Sequence, residues 1–504
     1  MKKTGIRMLI WALICSVALA ATAVTAHADE IVPDRYEIAY YAGESDFSLY
    51  IDKEGKLYSS GNNGSGQLGR GNAGTEARIV PAQILDGVKE VKTGREGFAL
   101  ALKTDGTVYA WGNNQYGQLG NGAGFSSEAA YNATPAKVEL PEKIKSVAAG
   151  ARNSFALTEN GDVYSWGSNQ HGQLGTGGET GRQEVEGTPV KLARENFGGE
   201  AVEEIACTEY AAFARTASGS VYSWGRNQHG QLGSGNEDVA YKAVTPQKTS
   251  LENVTKISAR STTAMALAGG EVYAWGQNNF YQLGIGEADG MQYSATPVKV
   301  DKFYSPNGEE ESVTAADILC GGITNFVISA EGDVYSFGSG GDGKSGFPLS
   351  SLGESAPVSL NNVLRPVRIT FYEPRSIYDI TENNKTEFQG SLPVDTATPA
   401  QVKITAGIGS SGDRTFCLDE NGKMWSWGNN KNGLTASGDI TNCTVPVRAT
   451  LYRNSNYDKT VEQKNYLLKP AIALIIIFGL GAAGLIYLEI KKRIGRKRAL
   501  AEQK

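Results

Sequence analysis

The chain has 504 residues with 62 Gly and 16 Pro, enough for a large core and for many turns without being low in complexity. Setting aside Lys2, Lys3 and Arg7 at the start, and seven basic and two acidic residues in the last sixteen, leaves 38 basic and 52 acidic residues, a net charge of −14. A body of that sign repels phosphate backbones, so nucleic acid is excluded as an expected partner.

The first element is a targeting segment. Lys2, Lys3 and Arg7 precede an apolar run from Met8 to Ala21, and Ala26-His27-Ala28 places small residues where a signal peptidase reads them. Residues 1–28 are read as a signal peptide, with the mature chain starting at Asp29. The apolar run is short for a retained membrane helix.

A repeat then organises residues 29–455. Gly161-Asp-Val-Tyr-Ser-Trp-Gly-Ser-Asn-Gln-His-Gly-Gln-Leu-Gly175 recurs, with pivotal glycines at Gly61, Gly112, Gly167, Gly225, Gly276, Gly338 and Gly428. Recurrence at this period means a repeat architecture. Each repeat carries four short apolar or alternating runs, the strand signature. A glycine such as Gly161 sits between the second and third runs, where a tight hairpin needs positive φ. Seven sheets that cannot bury both faces alone must pack radially, giving an all-β, seven-bladed propeller of four-stranded blades. The aromatic residue of the third run is Trp111, Trp166, Trp224, Trp275, Phe337 or Trp427, and these rings are expected to fill the gaps between blades. Val163 and Trp166 are read as sharing one face of their strand. A motif repeated seven times is scaffold, so function is sought where the repeats differ.

Trp-Gly-x-Asn-x-x-Gly-Gln-Leu-Gly, followed by Pro-x-x-Val, then Ala-Gly and a Phe-Ala-Leu strand, resembles the repeat of the regulator of chromosome condensation family. The resemblance runs from about Ile38 to Val447, with Asn114, Asn169, Asn227 and Asn278 at the expected place. It implies a seven-bladed propeller with one blade closed by strands from both chain ends, bringing the segment near Val445 to Leu451 close to Ile38–Tyr58. The sequence departs from the family pattern at Ser60 in place of Trp, at Tyr281 in place of Gly, at Gly343-Lys-Ser-Gly346, and in the seventh repeat, which lacks the Gln. The family's best-known member is a nuclear guanine-nucleotide exchange factor. A signal peptide, a membrane span and an acidic body argue against that activity here, whereas secreted bacterial relatives act as binding surfaces.

No catalytic constellation accompanies the fold, so no enzyme activity, cofactor or metal is expected. The mature chain keeps only His171 and His229, at one motif position in successive repeats; other repeats hold Tyr116, Ser65 and Asn432 there. Glu309-Glu-Glu311 lacks the alternating oxygen spacing of a calcium loop and is read as a solvated loop. Cys207, Cys320, Cys417 and Cys443 show no zinc spacing and are read as small buried hydrophobes. Cys417 and Cys443 share a repeat and could meet, while Cys207 and Cys320 are poor candidates for a bridge.

The interval between the sixth and seventh pivotal glycines is the longest. Its surplus, residues 347–400, is read as an insertion carrying Phe371, Tyr372, Tyr378 and Phe388, candidate contact residues for a partner. The competing reading has these rings pack the insertion onto the propeller. After a linker over 456–470, the uncharged run Ala471–Leu488 is long enough to span a bilayer, so 471–490 is read as a transmembrane helix. Lys491, Lys492, Arg493, Arg496, Lys497 and Arg498 follow, which places 491–504 in the cytoplasm. The expectation is a single-pass cell-membrane protein whose extracellular propeller engages a protein or glycan partner. An envelope enzyme or sensor using the propeller as a substrate platform is the alternative.

Overall fold

The computed structural model describes residues 35–452 apart from 37, 45, 123–129, 179–184, 239, 288–289, 360, 373–398, 401, 411–413, 430–442 and 449–450. Tyr36–Leu451 form one compact unit. The leader 1–28, the linker 456–470 and the segments 471–490 and 491–504 lie outside the described residues. Among the described residues, no helix is long and apolar enough to cross a membrane.

The chain folds as an all-β propeller. Six sheets have four antiparallel strands in sequence order, and a seventh has the same four-strand core with three short strands added. The inner strands are Ile38–Gly43, Val88–Gly94, Ile144–Ala149, Val202–Cys207, Val254–Arg260, Ala315–Cys320 and Ile404–Ser410. Each lies beside the next, and the last lies beside the first, so the ring is closed. No blade mixes strands from the two chain ends. Cys443–Arg448 is the outer strand of the last blade, paired with Met424–Gly428. Among the described residues, Arg35–Tyr36 and Leu451–Tyr452 pair as a separate two-stranded sheet outside the blades. The expectation that one blade draws strands from both ends is thus corrected: the first and last blades each complete themselves and pack side by side.

The third blade shows how local chemistry sets the strands. Asn153–Thr158 and Val163–Gly167 pair with Phe155 opposite Ser165. Their hairpin closes through Gly161 N–H to the Thr158 carbonyl at 3.1 Å, with Gly161 at φ 83°. The outer strand Glu186–Lys191 contains Pro189, tolerated because its far edge has no partner, and the ladder slips beside it. Gly167 is demanded twice over. Its φ is 104°, and a Cβ there would sit 2.5 Å from the Arg152 carbonyl oxygen.

The core lies between blades. Trp166 joins second-blade residues such as Phe98, Leu100 and Leu119, whereas Val163 joins the cluster around Trp224 of the fourth blade. The two side chains therefore face opposite neighbours, correcting the expected shared face. They stand three residues apart, and strand side chains alternate with a period of two.

Part of the supposed insertion belongs to the sixth blade. Asn362–Arg368 is its outer strand, pairing Tyr335 with Arg368 and Ser336 with Val367. Phe347, Val363, Val367, Ile369 and Phe371 are core residues between the sixth and seventh blades. Length hid this strand, because a detour through Leu349–Ser351 and Val358–Ser359 delays it.

Candidate functional site

The repeated polar residues are consumed by the scaffold. Trp111, Trp166, Trp224 and Trp275 are fully buried, and each indole Nε1 donates to the main-chain carbonyl of the preceding blade's motif Gln, at 2.8–2.9 Å. Trp427 does the same to the Lys344 carbonyl at 3.1 Å. Phe337 has no N–H to give, and Asn325, its partner across the ladder, donates to the Gln282 carbonyl at 2.7 Å instead. The motif Asn and Gln lock their own loop. In the third repeat, Asn169 Oδ1 accepts from Leu174 N at 2.9 Å, and Gln173 Oε1 accepts from His171 N at 2.8 Å. These rings sit in the clusters between neighbouring blades, and a buried Trp finds its hydrogen-bond partner as the indole requires.

The candidate contact residues divide. Phe371 is only 4% exposed and meets Trp425 and Trp427 edge-on, at 5.4 and 6.2 Å between centroids. It is a wedge in the wall between blades and presents no face to a partner. Tyr372 pairs with Pro399 in a short ladder. Tyr378 and Phe388 lie outside the described residues. Glu310–Glu311 forms a small hairpin with Phe303–Tyr304. There Glu311 accepts from Tyr335 at 2.8 Å and pairs with Arg368 at 3.0 Å, so it is structural, while Glu309 and Glu310 are exposed as a solvated segment is. Cys417 is a free buried thiol on a strand facing Trp425, whereas Cys443 faces Gly428, so the possible bridge within the last repeat is absent. Cys207 and Cys320 are also free, and burial pushes both thiols up to about 12.

Two surfaces differ from blade to blade. One is a central cavity of about 610 Å³ at the axis of the ring. Ion pairs cross it between blades that are not neighbours: Arg260 of the fifth blade meets Glu44 of the first at 2.8 Å, and Arg95 of the second meets Glu209 of the fourth. The Glu44 carboxyl is raised by burial, against the opposing pull of Arg260. The same rim is laced through main chain, Ala151 N to the Glu209 carbonyl and Glu209 N to that of Ser261.

The other surface is the face that carries the Gly-Gln-Leu-Gly loops. Strand order puts the connections from inner to second and from third to outer strands on this face, and the remaining connections opposite. The opposite face is a lattice of ion pairs. Lys191 reaches Asp162 at 2.8 Å and Glu142 at 3.3 Å, Arg194 reaches Asp162 at 2.7 Å, and Lys299 reaches Glu271 at 2.6 Å. The motif face instead holds aromatic and cationic groups. Arg152 lies over Tyr116 at 4.3 Å, Arg226 over Tyr210 at 5.5 Å, and His171 meets Tyr210 edge-on at 5.1 Å. Burial and the nearby Arg226 hold His229 below the ordinary histidine range. The exposed large hydrophobics among the described residues are Tyr131 (51%), Phe280 (42%) and Met291 (40%), and all three stand on this face. Of these, the sequence marks Tyr131 as part of a small insertion over Gly122–Thr134, whereas Phe280 and Met291 were missed; the displaced Gly at Tyr281 was the signal that could have marked their spot. Among the described residues no cluster of His, Cys, Asp and Glu is arranged to hold a metal.

A closed ring of β-sheets wedged by buried indoles defines a β-propeller of the repeat type. The chain belongs to the RCC1-like domain family, which it matches over residues 22–381. It is 29% identical over 344 residues to the ultraviolet-B receptor UVR8 of Arabidopsis thaliana, covering 67% of this chain and 72% of that protein. It is 32% identical over 313 residues to human HERC6, a probable E3 ubiquitin-protein ligase, covering 60% of this chain but 29% of that much longer protein. In fold it is similar to human WBSCR16, with a TM-score of 0.59 at 22% identity, over 78% of this chain and 94% of that one. It is likewise similar to yeast RCC1 (Prp20), crystallised with Kap60, with a TM-score of 0.60 at 21% identity, over 84% of this chain and 87% of that one.

Proposed function

We propose that this protein is a cell-surface interaction scaffold, a seven-bladed propeller held outside the membrane by a single helix over 471–490. Residues 1–28 are removed on export, and 491–504 remain in the cytoplasm. The observation that carries the reading is the division of labour in the propeller. Repeated Trp, Asn and Gln side chains are spent on internal bonds, while exposed apolar groups gather on one face of a rigid ring. Large exposed apolar side chains on one side of a soluble body mark a contact surface. The apolar run at 471–488 and the basic cluster behind it support the anchored topology. The partner is an extracellular protein or glycan, and the guanine-nucleotide exchange activity of the family's best-known member forms no part of the proposal. The test uses the full-length chain with a C-terminal epitope in intact cells. Added protease is expected to digest the propeller and spare the tail. A protected propeller would overturn the topology.

A further inference from the structure

We propose that the central chamber of the ring binds a small neutral polyol, a molecule of monosaccharide size with hydroxyls around an apolar ring. The proposal stands on the chamber alone and goes beyond the scaffold reading. Its volume of about 610 Å³ lies in the range of small-molecule sites. The inner strands run from the ion-paired face to the motif face, so their residues form successive layers along the axis.

Charge gathers toward the two ends of the chamber, and there it is already matched. The Arg260–Glu44 and Arg95–Glu209 pairs stand at the motif-face end. Toward the other end, Lys92 meets Glu90 at 3.3 Å, Lys256 meets Asp317, and Glu204 meets Arg215 at 3.2 Å. Every Lys, Arg and Glu that lines the chamber thus has a partner of opposite sign. An ionic ligand would give up its hydration there and find no free counter-charge.

The middle layers offer small side chains and main-chain polar groups. Ala149, Ala206, Ser258 and Ala259 are part-exposed and line the chamber. Each inner strand stands at the end of its sheet, so one edge lies outside the ladder, and alternate residues turn N–H and C=O to that edge. Two of these groups are met from the preceding blade: Glu204 accepts from Ile257 N at 3.0 Å, and Ser258 Oγ accepts from Cys320 N at 2.9 Å. By the same register, the matching positions in the third and fourth blades are Val147, Ala149, Ile205 and Cys207. Their N–H groups have no such cap among the described residues. Against the wall, Asn153 is 1% exposed with neither amide atom partnered. A Cβ on Gly150, a wall residue, would stand 2.4 Å from its Oδ1. Polar groups buried without partners are costly, and a ligand rich in hydrogen bonds relieves that cost.

The combination selects the chemistry. A hydroxyl both donates and accepts, which suits N–H and C=O groups turned to one strand edge, and the C–H faces of a polyol suit alanine walls. An aromatic ligand would find no ring free to stack on. Tyr41 is stacked on Phe416, and Lys92 lies over Tyr40 and donates to its hydroxyl.

The experiment titrates the purified full-length chain calorimetrically with D-glucose and myo-inositol. It repeats the titration with D-glucuronate and D-glucosamine, which keep the size of glucose and add one charge of either sign. A neutral probe is expected to bind, and the charged isosteres to bind about tenfold more weakly or worse. Ala206→Leu and Ala259→Leu, which place extra carbon in the chamber, are each expected to weaken binding by about tenfold or more. Lys299→Ala on the outer part of the ion-paired face leaves it unchanged, and a retained melting transition certifies each fold. Absence of binding by both neutral probes at tens of millimolar overturns the proposal. So does tighter binding of glucuronate or glucosamine than of glucose, or binding that both leucine variants leave intact. The isostere comparison uses the natural chain, so it decides the matter even where a leucine variant fails to fold.

Discussion

Six of the seven seams between blades are alike, and the seam that closes the ring is not. In the six, a ring from the third strand of one blade wedges against the blade before it, and an N–H crosses to a main-chain carbonyl. At the closing seam the wedge position is Ser60. The space is filled by Tyr41, Tyr50 and Tyr58 of the first blade against Phe416 and Met424 of the last. Tyr41 stacks on Phe416 at 3.6 Å between centroids. Arg414, only 2% exposed, reaches across the seam. Its Nε donates to the Tyr41 hydroxyl at 3.0 Å, and Nη2 donates to the carbonyls of Glu44 and Phe47. The same ladder position, opposite the pivotal glycine, holds Phe47, Phe98, Asn153, Ala211, Thr263 and Thr324 in the other blades. The difference teaches where the ring needs specification. Six seams join blades that follow one another in the chain, so closing them costs a short loop. The seventh joins the chain's two ends, and directional bonds from one buried arginine set its register.

The comparison can be broken at its regular side first. Trp166→Ala is expected to cost about 3–5 kcal/mol, because the surrounding blades cannot collapse into the space of an indole. Urea unfolding measures it, and a loss below about 1 kcal/mol would mean the wedges are dispensable. At the closing seam, Arg414→Leu keeps much of the volume but strips donors from the Tyr41 hydroxyl and two buried carbonyls. The expected loss is about 1–3 kcal/mol, read as a lower denaturation midpoint. An unchanged midpoint would assign the seam to ring stacking alone. The finest test lies at the one regular seam without an indole. If Asn325 substitutes for the missing N–H of Phe337, Asn325→Ala should cost about 1 kcal/mol in the natural chain and less in a Phe337→Trp background. A double-mutant cycle reads that coupling, and additive losses would detach the two residues.

Most of the propeller was legible because its wedges repeat. A pivotal Gly, preceded by Trp in five of the seven repeats, marks the third strand, and the hairpin glycines mark its start, since both are demanded by local geometry. The face of Val163 was misread from spacing alone, and the strand Asn362–Arg368 was taken for insertion because a detour delays it. The candidate surface was barely legible. Tyr281 in place of Gly stood out as a departure, but nothing in the order of residues shows that Phe280 and Met291 stand exposed on the face that carries the motif loops.

The sequence by itself therefore determined the repeat, the strand order within each blade and the residues that wedge neighbouring blades, because those contacts lie within a repeat or between successive ones. Only the tertiary structure decided how the ring closes and what each face displays. Arg414 and Tyr41 are 373 residues apart, and no local pattern links them. Their contact exists because seven sheets, each turning the chain by a share of the circle, bring the last blade back beside the first.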